Sequence, residues 1–204
     1  MSDNAVTGFV MQRIPERFRG RTLFGKSKPR ELQYLLFEPK PTWGDIAPPG
    51  TDGRVELARE IAGLIHFLHT RTLVIGDMSM NNLLWAYDSA AAIFMIDCDG
   101  IRRLGHRPVH PPTETPDWQD PRRPSGDQGA SRDLDLDNDR YKCALIIGRI
   151  LSRNHYARPG EHLDLVPGVP GDIASGVQSL WRQADRPRGS RPGADRWIWV
   201  LGRQ

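Results

Sequence analysis

The sequence from Leu73 to Asp97 reads LVIGDMSMNNLLWAYDSAAAIFMID, and the fold prediction starts from it. It holds two apolar runs, Leu83 to Ala86 and Ala91 to Ile96, with the turn-forming residues 87–90 between them. Two short apolar runs on either side of a polar break are typical of a β-hairpin. The irregular polar stretch over residues 73–82 is predicted to be a loop that leads into the first strand.

Three oxygen-bearing side chains are predicted to meet at the open end of this hairpin. In an antiparallel pair the first residue of one strand faces the last residue of the other, so Asn82 and Asp97 are expected to be neighbours. Asp77 lies in the loop that feeds the same end, and Asp99 is close by. A few hard oxygen ligands with room for water and phosphates are what Mg²⁺ takes, which predicts a magnesium site. Taken singly, each residue is better explained as a turn residue or a strand end, and only the three together favour a metal site.

Helical periodicity dominates the rest of the chain. Apolar residues at three- and four-residue spacing, or on nearly every side, predict helices over residues 54–69, 141–151, 173–184 and 192–201. The remaining segments are predicted to be a strand over 6–14, a turn-rich stretch over 15–29, a short helix over 31–37 and a proline-rich loop over 100–138. The predicted fold class is mainly α with a small β-hairpin.

Length and charge set the class of protein. The 204 residues suit one domain, and an excess of three basic residues is too mild to indicate a nucleic-acid or membrane-surface partner. No apolar run is long enough to span a membrane, and the N-terminus lacks a signal-peptide pattern, so a cytoplasmic location is predicted. Cys98 and Cys143 each lie in an apolar run and are predicted to be reduced thiols in the core.

At these motifs the sequence resembles the C-terminal lobe (C-lobe) of the protein-kinase fold. Residues 75–82, IGDMSMNN, resemble the catalytic loop H-R-D-x-x-x-x-N, and residues 96–100, IDCDG, occupy the place of D-F-G. Residues 115–121, TPDWQDP, resemble the end of an activation segment, and the residues from Asn138 onward resemble the start of the family's buried F helix. The Asp-Cys-Asp spelling is similar to that of a bacterial branch of kinase-like proteins.

The resemblance implies ATP and Mg²⁺ as cofactors and phosphoryl transfer to Ser or Thr as the reaction. Asp77 would orient the attacking hydroxyl or accept its proton. Asn82 and Asp97 would hold Mg²⁺ on the nucleotide phosphates. Such a reaction asks the protein mainly for positioning and charge neutralisation.

The resemblance also implies supporting roles for other residues. Asp139 would brace the backbone of the catalytic loop, and Arg191 corresponds to the family's arginine near its final helices. Arg122 stands where the acidic partner of that arginine is expected, so the ion pair is expected to be lost or replaced. Asp99 replaces the glycine of D-F-G, and Ser79 stands where kinases often carry a phosphate-contacting lysine; both are additional site candidates.

The resemblance covers nearly the whole chain but not the nucleotide-binding N-lobe. Residues 1–14 are predicted to be a remnant of the last N-lobe strand and the hinge, which would place Met11 and Arg13 at the nucleotide. Residues 15–204 are predicted to be the C-lobe, with an activation-segment-like loop at about 100–138. The sequence has no Gly-rich loop, no phosphate-binding strand lysine and no partner glutamate.

Three functions stay open on the sequence. The first is a phosphotransferase lobe whose ATP site is completed by an N-lobe encoded elsewhere, either upstream or separately on another chain. The second is an inactive pseudokinase fragment that binds a protein partner, which the missing nucleotide-binding motifs favour. The third is a small-molecule phosphotransferase of the aminoglycoside- or choline-kinase type, which has a similar aspartate loop and metal strand. The segment over 115–121 and the helix of Asp139 favour the protein-kinase side.

Overall fold

Helices predominate in the computed structural model, which describes residues 12–106, 114–122 and 134–202. The helices are α1 (Gln33–Leu36), α2 (Thr51–His69), α3 (Leu136–Ile150), α4 (Gly171–Ala184) and α5 (Ala194–Leu201), with 3₁₀ helices at Glu16–Phe18 and Pro41–Ile46. The strands are β1 (Arg19–Arg21), β2 (Ser27–Pro29), β3 (Leu73–Val74), β4 (Leu83–Tyr87), β5 (Ala91–Met95) and β6 (Arg102–Arg103). In the described residues the strands pair as three two-stranded antiparallel sheets, β1–β2, β3–β6 and β4–β5.

Helix α3 lies at the centre of the core, because nearly all of its residues are buried. Its N-terminus is capped by Asp135, whose carboxylate accepts hydrogen bonds from the backbone N–H groups of Asp137 and Asn138. The Asn138 side chain in turn accepts a hydrogen bond from the backbone N–H of Asp135, and this exchange satisfies donors that a helix end otherwise leaves unpaired. The buried helix predicted over 141–151 is confirmed, with an earlier start because its polar cap residues carry no apolar signal.

Two amphipathic helices, α2 and α4, pack against α3, and a third, α5, packs against both of them. Their predicted inward faces are confirmed: Ile61 of α2, Trp181 of α4, and Trp197 and Leu201 of α5 are buried. Helix α2 lies against α3 and α5, and α4 contacts α3 and α5. Their bounds lie within three residues of the predicted ones, since apolar periodicity fixes a helix better than its ends. No helix among the described residues has both the length and the apolar composition needed to cross a bilayer.

The β4–β5 hairpin is confirmed, but its register differs by one residue from the predicted one. The connecting turn holds residues 88–90, and the Asp88 carboxylate accepts a hydrogen bond from the next backbone N–H at 2.7 Å. This turn sets Asn82 opposite Ile96, whose backbone N–H donates to the Asn82 carbonyl at 2.9 Å. Asp97 therefore lies one residue beyond the position directly across from Asn82.

The segment predicted to be turn-rich, residues 15–29, contains a second hairpin. Strands β1 and β2 pair over three residues each, which is too short for a periodic pattern to reveal. Gly20 lets this hairpin approach the 3₁₀ helix Pro41–Ile46 closely, because a Cβ at Gly20 would lie 2.8 Å from Cγ1 of Ile46.

The proline-rich segment over 100–138 is a loop only in part. Strand β6 lies inside it and pairs with β3, and α3 already begins at Leu136. Residues 107–113 and 123–133 lie outside the described residues. The strand predicted over 6–14 also falls mostly outside them, and the described residues 12–14 are irregular.

The two cysteines lie in different surroundings. Cys143 of α3 is buried, as predicted, and burial raises the pKa of its thiol. Cys98 is exposed, so its predicted place in the core is wrong. It follows β5 between two aspartates, where the chain has already left the core.

Candidate functional site

The predicted catalytic and metal residues lie together at the open end of the β4–β5 hairpin. Asn82 directly precedes β4, and Asp97 follows β5 by two residues. The Asn82 side-chain Nδ2 donates to the backbone carbonyl of Asp77 at 2.8 Å, which closes the loop over residues 77–82. No described residue donates a hydrogen bond to Oδ1 of Asn82, so this oxygen is the atom that the side chain offers to a ligand.

The Asp77 carboxylate contacts a segment far away in the sequence. It accepts hydrogen bonds from the backbone N–H of Thr115 at 3.0 Å and from Oγ1 of Thr115 at 3.2 Å. Both bonds use Oδ1 of Asp77, and Oδ2 lies 3.4 Å from the same hydroxyl. Asp77 thus holds the segment over 114–122 against the loop mainly through Oδ1, and Oδ2 can still accept a further hydrogen bond.

Asp97 lies in a locally negative environment. A hydrogen bond with Asp99, partial burial and the charges of Asp99 and Asp77 raise the pKa of its carboxyl. Its backbone has φ 57°, in the left-handed region that a non-glycine residue seldom adopts. A cation placed beside Asp97 would stabilise the charged form of its carboxyl.

Carboxylates alone do not complete a metal site here. Within residues 12–106, 114–122 and 134–202, no group of three or more His, Cys, Asp or Glu residues is arranged to hold a metal ion. A cation at this position would therefore need the amide oxygen of Asn82 beside Asp97, with water or phosphate oxygens filling the other positions. That ligand set fits Mg²⁺, which keeps several waters and takes few protein ligands.

Helix α3 anchors the loop over residues 75–82 through Asp139. The fully buried carboxylate of Asp139 accepts hydrogen bonds from the backbone N–H of Ile75 at 2.7 Å and of Gly76 at 3.0 Å. His69 Nε2, from the end of α2, lies 3.2 Å from Oδ2 of the same carboxylate. Gly76 has φ +81°, a conformation in which a residue with a side chain would be strained.

A buried lysine adds a second anchor one helical turn further along α3. Lys142 Nζ donates to the backbone carbonyl of Gly76 at 2.7 Å and forms an ion pair with Glu114 at 2.7 Å. Both side chains are completely buried. Lys142 therefore joins the loop to the segment that begins at Glu114 and carries Thr115.

Arg191 forms a buried ion pair, although its partner does not stand at position 122, where the acidic residue was expected. Its two terminal nitrogens lie 2.6 and 2.9 Å from the Asp120 carboxylate, and Asp137 lies 3.2 Å away. Arg122, by contrast, lies 3.0 Å from Asp185. Asp120, two residues before Arg122, is therefore the acidic partner of Arg191.

An apolar cavity of about 710 Å³ lies beside Asp97. Ile14, Phe94 and Ile96 line it together with Arg13, one of the two residues predicted to contact the nucleotide. Met11, the other, lies outside the described residues. An apolar lining of this kind suits a flat aromatic ring.

The two additional candidates differ in exposure. Asp99 is exposed and interacts with Asp97, within reach of a ligand at the hairpin end. Ser79 is fully buried, and its Oγ accepts a hydrogen bond from the backbone N–H of Asn81 at 3.4 Å. That contact gives Ser79 a part in shaping the loop.

Three members of this site were not predicted from the sequence: Thr115, Glu114 and Lys142. Lys142 carried a usable signal, because a lysine inside an otherwise apolar helix needs a buried partner. Thr115 and Glu114 lie in a proline-rich segment whose path no periodicity predicts.

Comparison with protein-family models gives no match, and neither does comparison with curated proteins. The function is therefore inferred from the geometry of the site.

Proposed function

We propose that the chain is a protein-kinase-like C-lobe that binds a Mg²⁺–nucleotide complex and takes part in phosphoryl transfer from ATP to a Ser or Thr hydroxyl. One observation carries the proposal: Asp77, Asn82 and Asp97 converge at one hairpin end beside an apolar cavity. No catalysis is expected without a Gly-rich loop and phosphate-binding lysine, which an N-lobe from elsewhere would supply.

Each residue has a distinct role in this proposal. Asn82 Oδ1 and the Asp97 carboxylate hold the cation, and the apolar cavity holds the nucleotide base. Bound Mg²⁺ would neutralise phosphate charge and align the phosphates. Oδ2 of Asp77, whose only described partner is the Thr115 hydroxyl at 3.4 Å, orients the acceptor hydroxyl and takes its proton. Asp139 and Lys142 fix the backbone on which Asp77 lies.

The second candidate is a nucleotide-binding module without transfer activity. The hydrogen bonds from Thr115 to Asp77 favour it, since they occupy the carboxylate that an acceptor hydroxyl would need. The two candidates share the Mg²⁺–nucleotide site and differ only in whether Asp77 acts on an acceptor.

Thermal unfolding with Mg²⁺-ATP tests the shared site. With ligand about tenfold above its Kd, we expect the wild-type Tm to rise by about 3–6 °C, because a ligand that binds only the folded state stabilises it. Asp97→Asn and Asn82→Leu should lose this rise, and Asp172→Asn, an exposed carboxylate on α4, should keep it. Equal shifts in all four proteins, or none in any, would contradict the proposal.

A transfer assay separates the two candidates. The chain is mixed with a separately expressed kinase N-lobe, labelled ATP and a Ser/Thr peptide mixture. Label that reaches peptide with the wild type but not with Asp77→Asn supports transfer. Retained Mg²⁺-ATP binding in both proteins without labelled peptide supports the binding module.

A further inference from the structure

Positive charges without an ion-pair partner among the described residues are concentrated on the β1–β2 hairpin. Residues 12–30 contain seven cations and one acidic residue, Glu16. Arg17 pairs with Asp88, and Glu16 pairs with Arg13. The hairpin itself carries Arg19, Arg21, Lys26 and Lys28, and none of these four forms an ion pair with a residue that the structure describes. The nearby Asp45 carboxylate accepts a hydrogen bond from the backbone N–H of Arg21.

The tip of this hairpin carries two large exposed apolar side chains. Leu23 is 65% exposed and Phe24 is 75% exposed. The tip is held in shape, because Thr22 donates its backbone N–H to Lys26 and the backbone N–H of Leu23 donates to the carbonyl of Thr42 at 3.1 Å. An ordered turn that displays adjacent leucine and phenylalanine to water offers apolar surface whose burial in an apolar environment is favourable.

The cations surround this apolar tip on both faces of the ribbon. Arg21 pairs with Ser27 across the two strands, and Lys28 pairs with Gly20, so Arg21 and Lys28 lie on opposite faces. Lys26 lies in the turn itself. Positive charge around a protruding apolar tip matches a surface with negative charge outside and hydrocarbon beneath.

We propose that the β1–β2 hairpin docks tip-first on an anionic phospholipid surface. Leu23 and Phe24 enter the boundary between headgroups and acyl chains, and Arg19, Arg21, Lys26 and Lys28 lie among the headgroup phosphates. The inference does not depend on the proposed nucleotide site. It differs from the expectation drawn from the whole-chain charge of +3, because that sum averages out a local excess that the fold concentrates on one hairpin.

A nucleic acid fits the same hairpin less well. Phosphates would suit the cations, but bases are held by stacking on aromatic rings, and the tip offers one aromatic residue beside an aliphatic one. Leu23 cannot stack on a base, whereas both tip residues would be buried in a lipid headgroup layer.

Co-sedimentation of the full chain with phospholipid vesicles tests the proposal. We expect binding to vesicles of phosphatidylcholine mixed with phosphatidylserine, little binding to phosphatidylcholine alone, and weaker binding as salt increases. The double variant Leu23→Asn, Phe24→Asn should bind about tenfold more weakly, as should Lys26→Glu, Lys28→Glu. All variants should keep the wild-type Tm, since the altered side chains are exposed.

Matched variants elsewhere control for general loss of apolar surface or charge. Phe67→Asn on α2 removes another exposed aromatic, and Arg182→Glu on α4 reverses another exposed cation; both should bind like the wild type. Equal binding to both vesicle types would overturn the proposal, as would tip variants that bind like the wild type. Binding of single-stranded oligouridine through Lys26 and Lys28 with no binding to vesicles would overturn it in favour of a nucleic-acid site.

Discussion

In the loop over residues 75–82, buried side chains supply the hydrogen bonds that regular secondary structure would otherwise give the backbone. This loop forms no regular element, so its backbone donors and acceptors need partners of another kind. Asp139 accepts from two of the donors, Ile75 and Gly76, and Lys142 donates to the Gly76 carbonyl. These two side chains of α3 thereby fix the position of Asp77.

Replacing Asp139 tests how much these bonds contribute. We expect Asp139→Ala to lower the free energy of unfolding by about 2–5 kcal/mol, because it leaves two buried backbone N–H groups without an acceptor. Asp139→Asn should cost less, since one oxygen remains to accept. Urea denaturation measures both, with Asp172→Ala on the exposed face of α4 as the control. A loss in Asp139→Ala no larger than in the control would contradict the assigned bonds.

Cys98 reports on the charge at the hairpin end. Partial burial, with the negative charges of Asp97 and Asp99, raises the pKa of its thiol. The thiolate is the reactive form, so at about pH 8 Cys98 should react with iodoacetamide more slowly than an ordinary exposed cysteine, and the rate should keep rising at higher pH. Asp99→Asn removes one negative charge, lowers the pKa of Cys98 and should raise the rate about twofold at that pH.

Mass spectrometry of alkylated peptides reads the Cys98 rate separately, because Cys143 is buried and should stay unmodified in the folded protein. An unchanged rate in Asp99→Asn would show that Asp99 does not contribute to the potential at the hairpin end.

At the scale of elements, α3 connects the site to the core. One end of this helix is capped by Asp135, and its first two turns carry both anchors of the loop, Asp139 and Lys142. Its far side packs against α4 so closely that a Cβ on Gly148 would collide with the Trp181 ring. Because α3 is buried on every side, a shift of the helix would move the loop, the segment over 114–122 and α4 together.

The buried pair of Lys142 and Glu114 should be costly to break from one side. Lys142→Met removes the cation that compensates a buried carboxylate, and we expect a loss of about 3–5 kcal/mol in the free energy of unfolding. The double variant Lys142→Met, Glu114→Leu should recover at least half of that loss, because two apolar side chains fill the space without a buried charge. A double-mutant cycle by urea denaturation measures the coupling, and additive losses would contradict the pairing.

Two helix-interior glycines should respond oppositely to alanine. Gly148→Ala on α3 should destabilise by about 1–3 kcal/mol, because the new methyl group collides with the Trp181 ring. Gly63→Ala on α2 has open space and should stabilise by about 0.5–1 kcal/mol through helix propensity. Chemical denaturation of both variants checks the packing of α3 on α4. Similar changes in the two would count against the close contact.

At the scale of the whole molecule, the long helices could be predicted because each repeats an apolar period over many residues. The β4–β5 hairpin could be predicted because two apolar runs lie on either side of a polar turn. The meeting of Asn82 and Asp97 followed from the hairpin, with an error of one residue in register that the three-residue turn caused. Contacts between distant segments could not be predicted: Thr115 lies 38 residues from Asp77, and only the tertiary path joins them. The β1–β2 hairpin was missed because its strands are too short for a pattern.

Binding of Mn²⁺ in place of Mg²⁺, followed by electron paramagnetic resonance with ATP present, tests the central claim most directly. We expect the wild-type chain to bind the Mn²⁺–ATP complex and broaden its signal. Asn82→Leu and Asp97→Asn should each leave the signal of the free complex, and Asp172→Asn should bind like the wild type. Identical spectra for all four proteins would contradict a cation site formed by Asn82 and Asp97.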